Sequence, residues 1–76
     1  MEKFPTMTLQ ELKTHNGKKV RQLRQQKVWS LEDLANKTDS GLSYISEMES
    51  GKRNPTLETL WHIATALEVE VRDLLP

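Results

Sequence analysis

An all-α domain of five short helices is predicted for this chain of 76 residues, on three observations. Apolar residues recur at intervals of three and four, no segment alternates with a period of two, and turn-forming residues punctuate the chain at short intervals. The length allows one hydrophobic core, because domains usually run to ~50–250 residues. A core this small buries only about 60% of the unfolded surface, so partner contacts are expected to add to its stability.

The elements follow in order. Val20 and Leu23 mark the first helix. Upstream, Thr8 and Glu11 form a capping-box pattern, so either this helix begins near Thr8 and kinks at Gly17, or a short extra helix precedes it. Residues 1–13 are accordingly read as an N-terminal arm or short extra helix, and residues 14–76 as the folded domain. Ser30 and Asp33 cap a second helix carrying Leu31, Leu34 and Ala35. The turn Thr38-Asp39-Ser40-Gly41 leads into a third, from Gly41 to Glu49, with Leu42, Ile45 and Met48 at helical spacing. Gly51 stands where a left-handed C-terminal cap is wanted. Thr56, after Pro55, caps a fourth helix with Leu57, Leu60, Trp61, Ala64 and Leu67, and a short last helix is expected over Val71 to Leu75.

Composition excludes several functions. Eleven basic and eleven acidic residues give zero net charge, which alone argues against a phosphate-binding protein. The distribution argues the other way, because Lys13, Lys18, Lys19, Arg21, Arg24 and Lys27 form a run with no acid, whereas Glu58, Glu68, Glu70 and Asp73 crowd the C-terminal end around Arg72 alone. The chain has no cysteine, which removes disulfides, thiolate metal sites and thiol nucleophiles. His15 and His62 are too few and too far apart for a metal site, so neither metal nor cofactor is expected. There is no Gly-rich phosphate loop, no paired histidine and no Ser-x-x-Lys, so no enzyme is expected. The N-terminal residues lack a signal-peptide core, and nothing approaches the ~20 apolar residues of a membrane span. A soluble cytoplasmic protein without membrane contact is the expectation.

A helix of about eight residues from Ser30, a four-residue turn and a second helix to Glu49 match the size of a helix-turn-helix, whose second helix enters the DNA major groove. The residues sharpen that reading. Val20-Arg21-Gln22-Leu23-Arg24, Ser30-Leu31-Glu32-Asp33-Leu34-Ala35, Tyr44-Ile45-Ser46-Glu47-Met48-Glu49-Ser50-Gly51-Lys52-Arg53-Asn54-Pro55-Thr56-Leu57 and Leu60 with Ile63-Ala64-Thr65-Ala66-Leu67 resemble the four successive helices of the Cro/C1-type (phage-repressor-like, XRE) helix-turn-helix family. The stretch Tyr44 to Leu57 particularly resembles the controller proteins of restriction–modification systems. The resemblance covers about Asn16 to Leu75, and implies a compact five-helix lambda-repressor-like domain with the helix-turn-helix at helices 2 and 3. It implies in turn a homodimeric, sequence-specific regulator of transcription, a repressor or autoregulator by default, that reads a two-fold double-stranded DNA operator.

The resemblance also implies roles for particular residues. Arg24 and Glu49 match a charged pair that ties the first helix to the third, with Arg24 directed toward the DNA backbone. Lys52, Arg53 and Asn54, just past the third helix, are placed for phosphates, as are Ser30 and Tyr44. Leu42, Ser43, Ser46 and Glu47 fall at the base-reading positions. A leucine can pack on a thymine methyl, a serine can donate or accept, and a glutamate can accept from cytosine N4. Three residues depart from the family pattern: Leu42, where relatives carry Gln or Arg; Leu31, where a Gln touches the backbone; and Asp39, where the turn often has Gly. Leu42 has a second reading, as a core residue at helical spacing from Ile45 and Met48.

One such domain makes few base contacts, so a pair reading two half-sites is expected. Trp61, Val69, Val71, Leu74 and Leu75 exceed what the core needs and are assigned to the pairing surface, an interface core being enriched in aromatics. Trp61 could instead cap the core beside Leu57. An alternative function is an antitoxin-like or adaptor module that binds a protein partner, with DNA binding weak or secondary. No small-molecule effector is expected under either reading.

Overall fold

The computed structural model describes residues 7–76, so residues 1–6 of the segment 1–13 assigned to an N-terminal arm or short extra helix lie outside the described residues, and Leu9 to Lys13 belong to the first helix. Four α-helices follow in order: α1 (Leu9–Gln26), α2 (Leu31–Lys37), α3 (Leu42–Glu49) and α4 (Leu57–Leu67). The expected fifth helix is a single 3-10 turn, Val71–Leu74. Pro76 accounts for its shortness, since the residue before a proline is driven into extended backbone, and Leu75 has φ −108 and ψ 161. Among the described residues no strand forms.

Local chemistry sets the helix boundaries. Thr8 accepts from the Glu11 N–H at 3.0 Å while Glu11 accepts from the Thr8 N–H at 2.8 Å, so α1 starts there and runs unbroken through Gly17. Ser30 and Asp33 make the same reciprocal pair at the start of α2. The hydrogen bonds from Ser30 hold the Asp33 carboxyl below its ordinary range. Thr56 accepts from the Thr59 N–H at 3.1 Å at the start of α4. Gly51 has φ 80, the left-handed conformation expected after α3.

Gly17 has a different role from the kink read in the sequence. A Cβ at this position would lie 2.5 Å from the Met48 carbonyl oxygen and 2.6 Å from that of Glu49. Only a residue without a side chain lets α1 lie against the backbone at the end of α3.

The core is one cluster of Val20, Leu34, Ala35, Ile45, Met48, Leu60, Ile63, Ala64, Leu67 and Leu74, drawn from every element. Three leucine and tryptophan positions at helical spacing stay out of it: Leu42, Leu57 and Trp61 are 46%, 74% and 57% exposed. Leu74 is fully buried. Its carbonyl accepts from Asn16 Nδ2 at 3.1 Å, which fastens the C-terminal turn to α1. The basic run and the acidic end also meet, since Lys27 Nζ lies 2.8 Å from Glu68 and holds that carboxyl below its usual range.

Among the described residues, three with side chains take left-handed backbone, Val28, Asp39 and Glu68, and Val28 is the β-branched one among them. Val28 has φ 59 and is 88% exposed, so a β-branched side chain occupies left-handed backbone with no packing in return. Val28→Asn is expected to raise the unfolding free energy by up to about 1 kcal/mol, the order of the left-handed penalty. Urea titration followed by circular dichroism measures it; an unchanged or lower midpoint would contradict the assignment of strain.

Candidate nucleic-acid interface

The start of α2 and the outer face of α3 form a shallow trough lined by Ser30, Leu31, Glu32, Leu42, Ser43, Ser46 and Glu47. Ile45 and Met48 are buried while Leu42 and Ser43 are exposed, Ser43 on the opposite side of α3 from the buried stripe and Leu42 at its edge. The four residues read in the sequence as base contacts therefore share one surface. Leu42 belongs to that surface, and its second reading as core is corrected by its exposure.

The turn that sets α2 against α3 is closed by backbone and hydroxyl hydrogen bonds. Ser40 N–H donates to the Ala35 carbonyl at 2.9 Å, and the Thr38 hydroxyl donates to that of Leu34 at 2.8 Å. Asp39 takes φ 52 at the position where relatives often have Gly. Aspartate is among the few side-chain-bearing residues that visit this region, so the turn keeps its shape without glycine.

Behind the trough, Arg24 and Glu49 make a two-pronged ion pair. Nε donates to one carboxylate oxygen at 2.7 Å and Nη2 to the other at 3.0 Å. Nη1 donates to the Trp29 carbonyl at 2.7 Å, so Arg24 also fixes the link from α1 to α2. The Glu49 side chain is 1% exposed and that of Arg24 11%. The hydrogen bonds to Glu49 raise the affinity of the guanidinium for its proton, outweighing the effect of burial. Arg24 is thus a bracket beneath the surface and offers little of itself to a phosphate. Arg21, not singled out in the sequence, lies 3.5 Å from the same carboxylate and is 53% exposed. Its spacing of four from Gly17 and three from Arg24 puts all three on the face of α1 that meets α3, a signal that could have found it.

The cations of the loop after α3 stand beside the trough. Lys52, Arg53 and Asn54 are exposed. Arg53 donates from Nε to Glu47 at 2.8 Å and lies 5.3 Å from the centre of the Tyr44 ring. Ser30 is exposed at the start of α2, with its hydroxyl oxygen committed as an acceptor to the cap. Trp29 lies under two ammonium groups, Lys37 at 4.7 Å and Lys27 at 5.3 Å.

The residues assigned to pairing divide. Trp61 and Leu75 are exposed, Val69 and Val71 half-buried, and Leu57 one turn before Trp61 joins them. Leu74 lies in the core and supports this surface from beneath, a correction to its assignment as part of it. Trp61 does not cap the core: it stacks edge-on against His62, with ring centres 5.1 Å apart. Among the described residues no cluster of three metal-ligating side chains occurs, and no helix is long and apolar enough to cross a membrane.

Comparison with known proteins places this arrangement among others. A family model described as helix-turn-helix, HTH_3, matches residues 20–74. Control protein C.BamHI of Bacillus amyloliquefaciens is 45% identical over 60 residues, which cover 78% of this chain and 74% of that protein. The restriction-modification controller protein C.AhdI from Aeromonas hydrophila superposes with a TM-score of 0.79 at 37% identity, over 82% of this chain and 94% of that one. The biofilm master regulator SinR, solved in complex with DNA, superposes with a TM-score of 0.74 at 33% identity, over 78% of this chain and 95% of that one. Two longer transcriptional regulators, from Deinococcus deserti and Escherichia coli, are matched over only 44% and 28% of their own length.

Proposed function

Because the chain belongs to the HTH_3 helix-turn-helix family, we propose that it is a sequence-specific DNA-binding regulator of transcription that places α3 in the major groove. The observation that carries this reading is that Leu42, Ser43, Ser46 and Glu47 line one trough on a single face of α3, next to the cationic loop Lys52-Arg53-Asn54. Base contacts specify and phosphate contacts position, and the surface offers both on adjoining segments. Leu42 supplies an apolar contact for a thymine methyl, and Ser43 and Ser46 supply hydroxyls for base edges. Lys52, Arg53, Asn54, Tyr44 and Ser30 contact the backbone on either side, and Arg21 adds a cation that Arg24, held by Glu49, does not provide.

The active form is a homodimer on an operator of two-fold character. One α3 of eight residues reads too few base pairs to define a site. Two copies paired through Trp61, Leu57, Leu75, Val69 and Val71 would set their recognition helices about one helical turn, ~34–36 Å, apart. Occupancy blocks polymerase by overlap, so repression or autoregulation follows without any further contact. The controller relatives support extending this to activation of a restriction gene.

Lys52 is expected to act on the backbone alone. Lys52→Ala should weaken binding to all duplexes alike, and should lower the slope of log K against log salt by about 0.9. Fluorescence anisotropy at several salt concentrations measures both. An unchanged slope, or a changed base preference, would contradict the assignment.

A further inference from the structure

The trough carries two carboxylates, Glu32 and Glu47, and none of its lining residues is a cation. Each carboxylate is repelled by the phosphates flanking a groove. Glu47 is not free, however. Its Oε1 accepts from Arg53 at 2.8 Å, and the same guanidinium rests against Tyr44. Glu47 and Tyr44 are on α3 while Arg53 is in the loop beyond it, so one cation spans the base-reading face and the phosphate-facing loop. The side chains of Arg53 and Glu47 are 49% and 45% exposed, so a phosphate can compete for the guanidinium.

We propose that Glu47 and Arg53 form an exchangeable latch that couples phosphate contact to the reading of a cytosine. The proposal rests on α3 being the groove helix. Arg53 has two partners to choose from on any duplex, the Glu47 carboxylate and a backbone phosphate. Choosing the phosphate leaves Glu47 in the groove without its counter-charge. That carboxylate is then stabilised only where a base edge donates to it. Cytosine N4 is such a donor, guanine and the thymine carbonyl present acceptors, and the adenine amino group stands beside the N7 acceptor. The latch therefore opens on sites with a cytosine under Glu47 and stays closed elsewhere, where Arg53 contributes nothing to phosphate binding. Discrimination comes from a cation that is withheld as well as from a hydrogen bond that is made.

The test is selection of sites from a pool of randomised duplexes by the full chain, followed by salt titrations of the selected site and of a scrambled one. Wild type should enrich a fixed cytosine in each half-site, and replacing that base pair should cost roughly 5- to 150-fold in affinity. Its salt slope on the selected site should exceed that on the scrambled duplex by about 0.9, the one phosphate that Arg53 gains. In Glu47→Ala the cytosine preference and the slope difference should both vanish, with scrambled DNA bound more tightly than by wild type. Glu47→Gln should keep the fold and lose the slope difference, and circular dichroism of both variants establishes that they are folded. Retention of the cytosine preference and the slope difference in folded Glu47→Ala or Glu47→Gln overturns the latch while leaving DNA recognition intact. Failure of wild type to enrich any site overturns DNA recognition, and the latch with it.

Discussion

Glu49→Ala is expected to lower the unfolding free energy by about 3–5 kcal/mol, the usual cost of removing one partner of a buried ion pair. The Glu49 carboxylate receives two hydrogen bonds from Arg24 in a setting where its own side chain is 1% exposed. Without it the Arg24 guanidinium keeps its charge, stays largely out of water and has only the Trp29 carbonyl as a partner. A domain of this size holds roughly 4–11 kcal/mol in total, at the usual 0.05–0.15 kcal/mol per residue. The variant therefore loses between about a quarter and all of its stability, and its urea midpoint should fall in proportion. The double replacement Arg24→Met with Glu49→Leu removes both charges and should recover most of the loss, because a buried pair exceeds an apolar replacement of similar volume by little. A single Glu49→Ala variant within about 1 kcal/mol of wild type, the range of an exposed pair, would refute the buried bracket.

Gly17→Ala is the second large effect, and its sign is the informative part. In an isolated helix the change should stabilise by about 1 kcal/mol. Here the new methyl would meet the carbonyl oxygens of Met48 and Glu49 at 2.5 and 2.6 Å and the Glu49 carbonyl carbon at 2.8 Å. These are backbone atoms that cannot rotate away, so α1 must move off α3. Overpacking of this kind costs typically 1–3 kcal/mol, and occasionally more. Because Arg24 and Glu49 bridge the same two helices, the displacement also strains the ion pair and tilts the base-reading face. Thermal unfolding should show a lower midpoint, and DNA affinity should fall with it. A raised midpoint would mean that the helices do not approach this closely.

The residues that make α2, α3 and α4 are legible in the chain because their signals are local. Ser30 with Asp33, Thr56 and Gly51 each act within three residues of their own position, and the structure uses them as caps. Helical spacing identified Ile45, Met48, Leu60 and Leu67 as core, but it could not set the width of the buried stripe. Leu42, Leu57 and Trp61 have the same periodicity and lie at its edge, where only the position of a neighbouring helix decides. Gly17 was opaque for the same reason. Its neighbours are Met48 and Glu49, far along the chain, so a packing glycine looks like a break. The last turn stops at Leu74, one residue short of the expected helix, because Pro76 disfavours α-helical backbone at Leu75. At the site, the residue types of α3 pointed to the groove face. The Arg53 to Glu47 pair did not, because two exposed charges six residues apart can take many partners.

Recognition of a DNA site is the central claim, and titration of the purified protein against its own upstream promoter fragment and a scrambled duplex, at two salt concentrations, tests it most directly. The expected result is saturable binding that prefers the promoter, weakens steeply with salt and is itself weakened or lost in Arg53→Ala. Equal and weak binding to both duplexes would contradict it, and would turn attention to the exposed face of Leu57 and Trp61 as a surface for a protein partner.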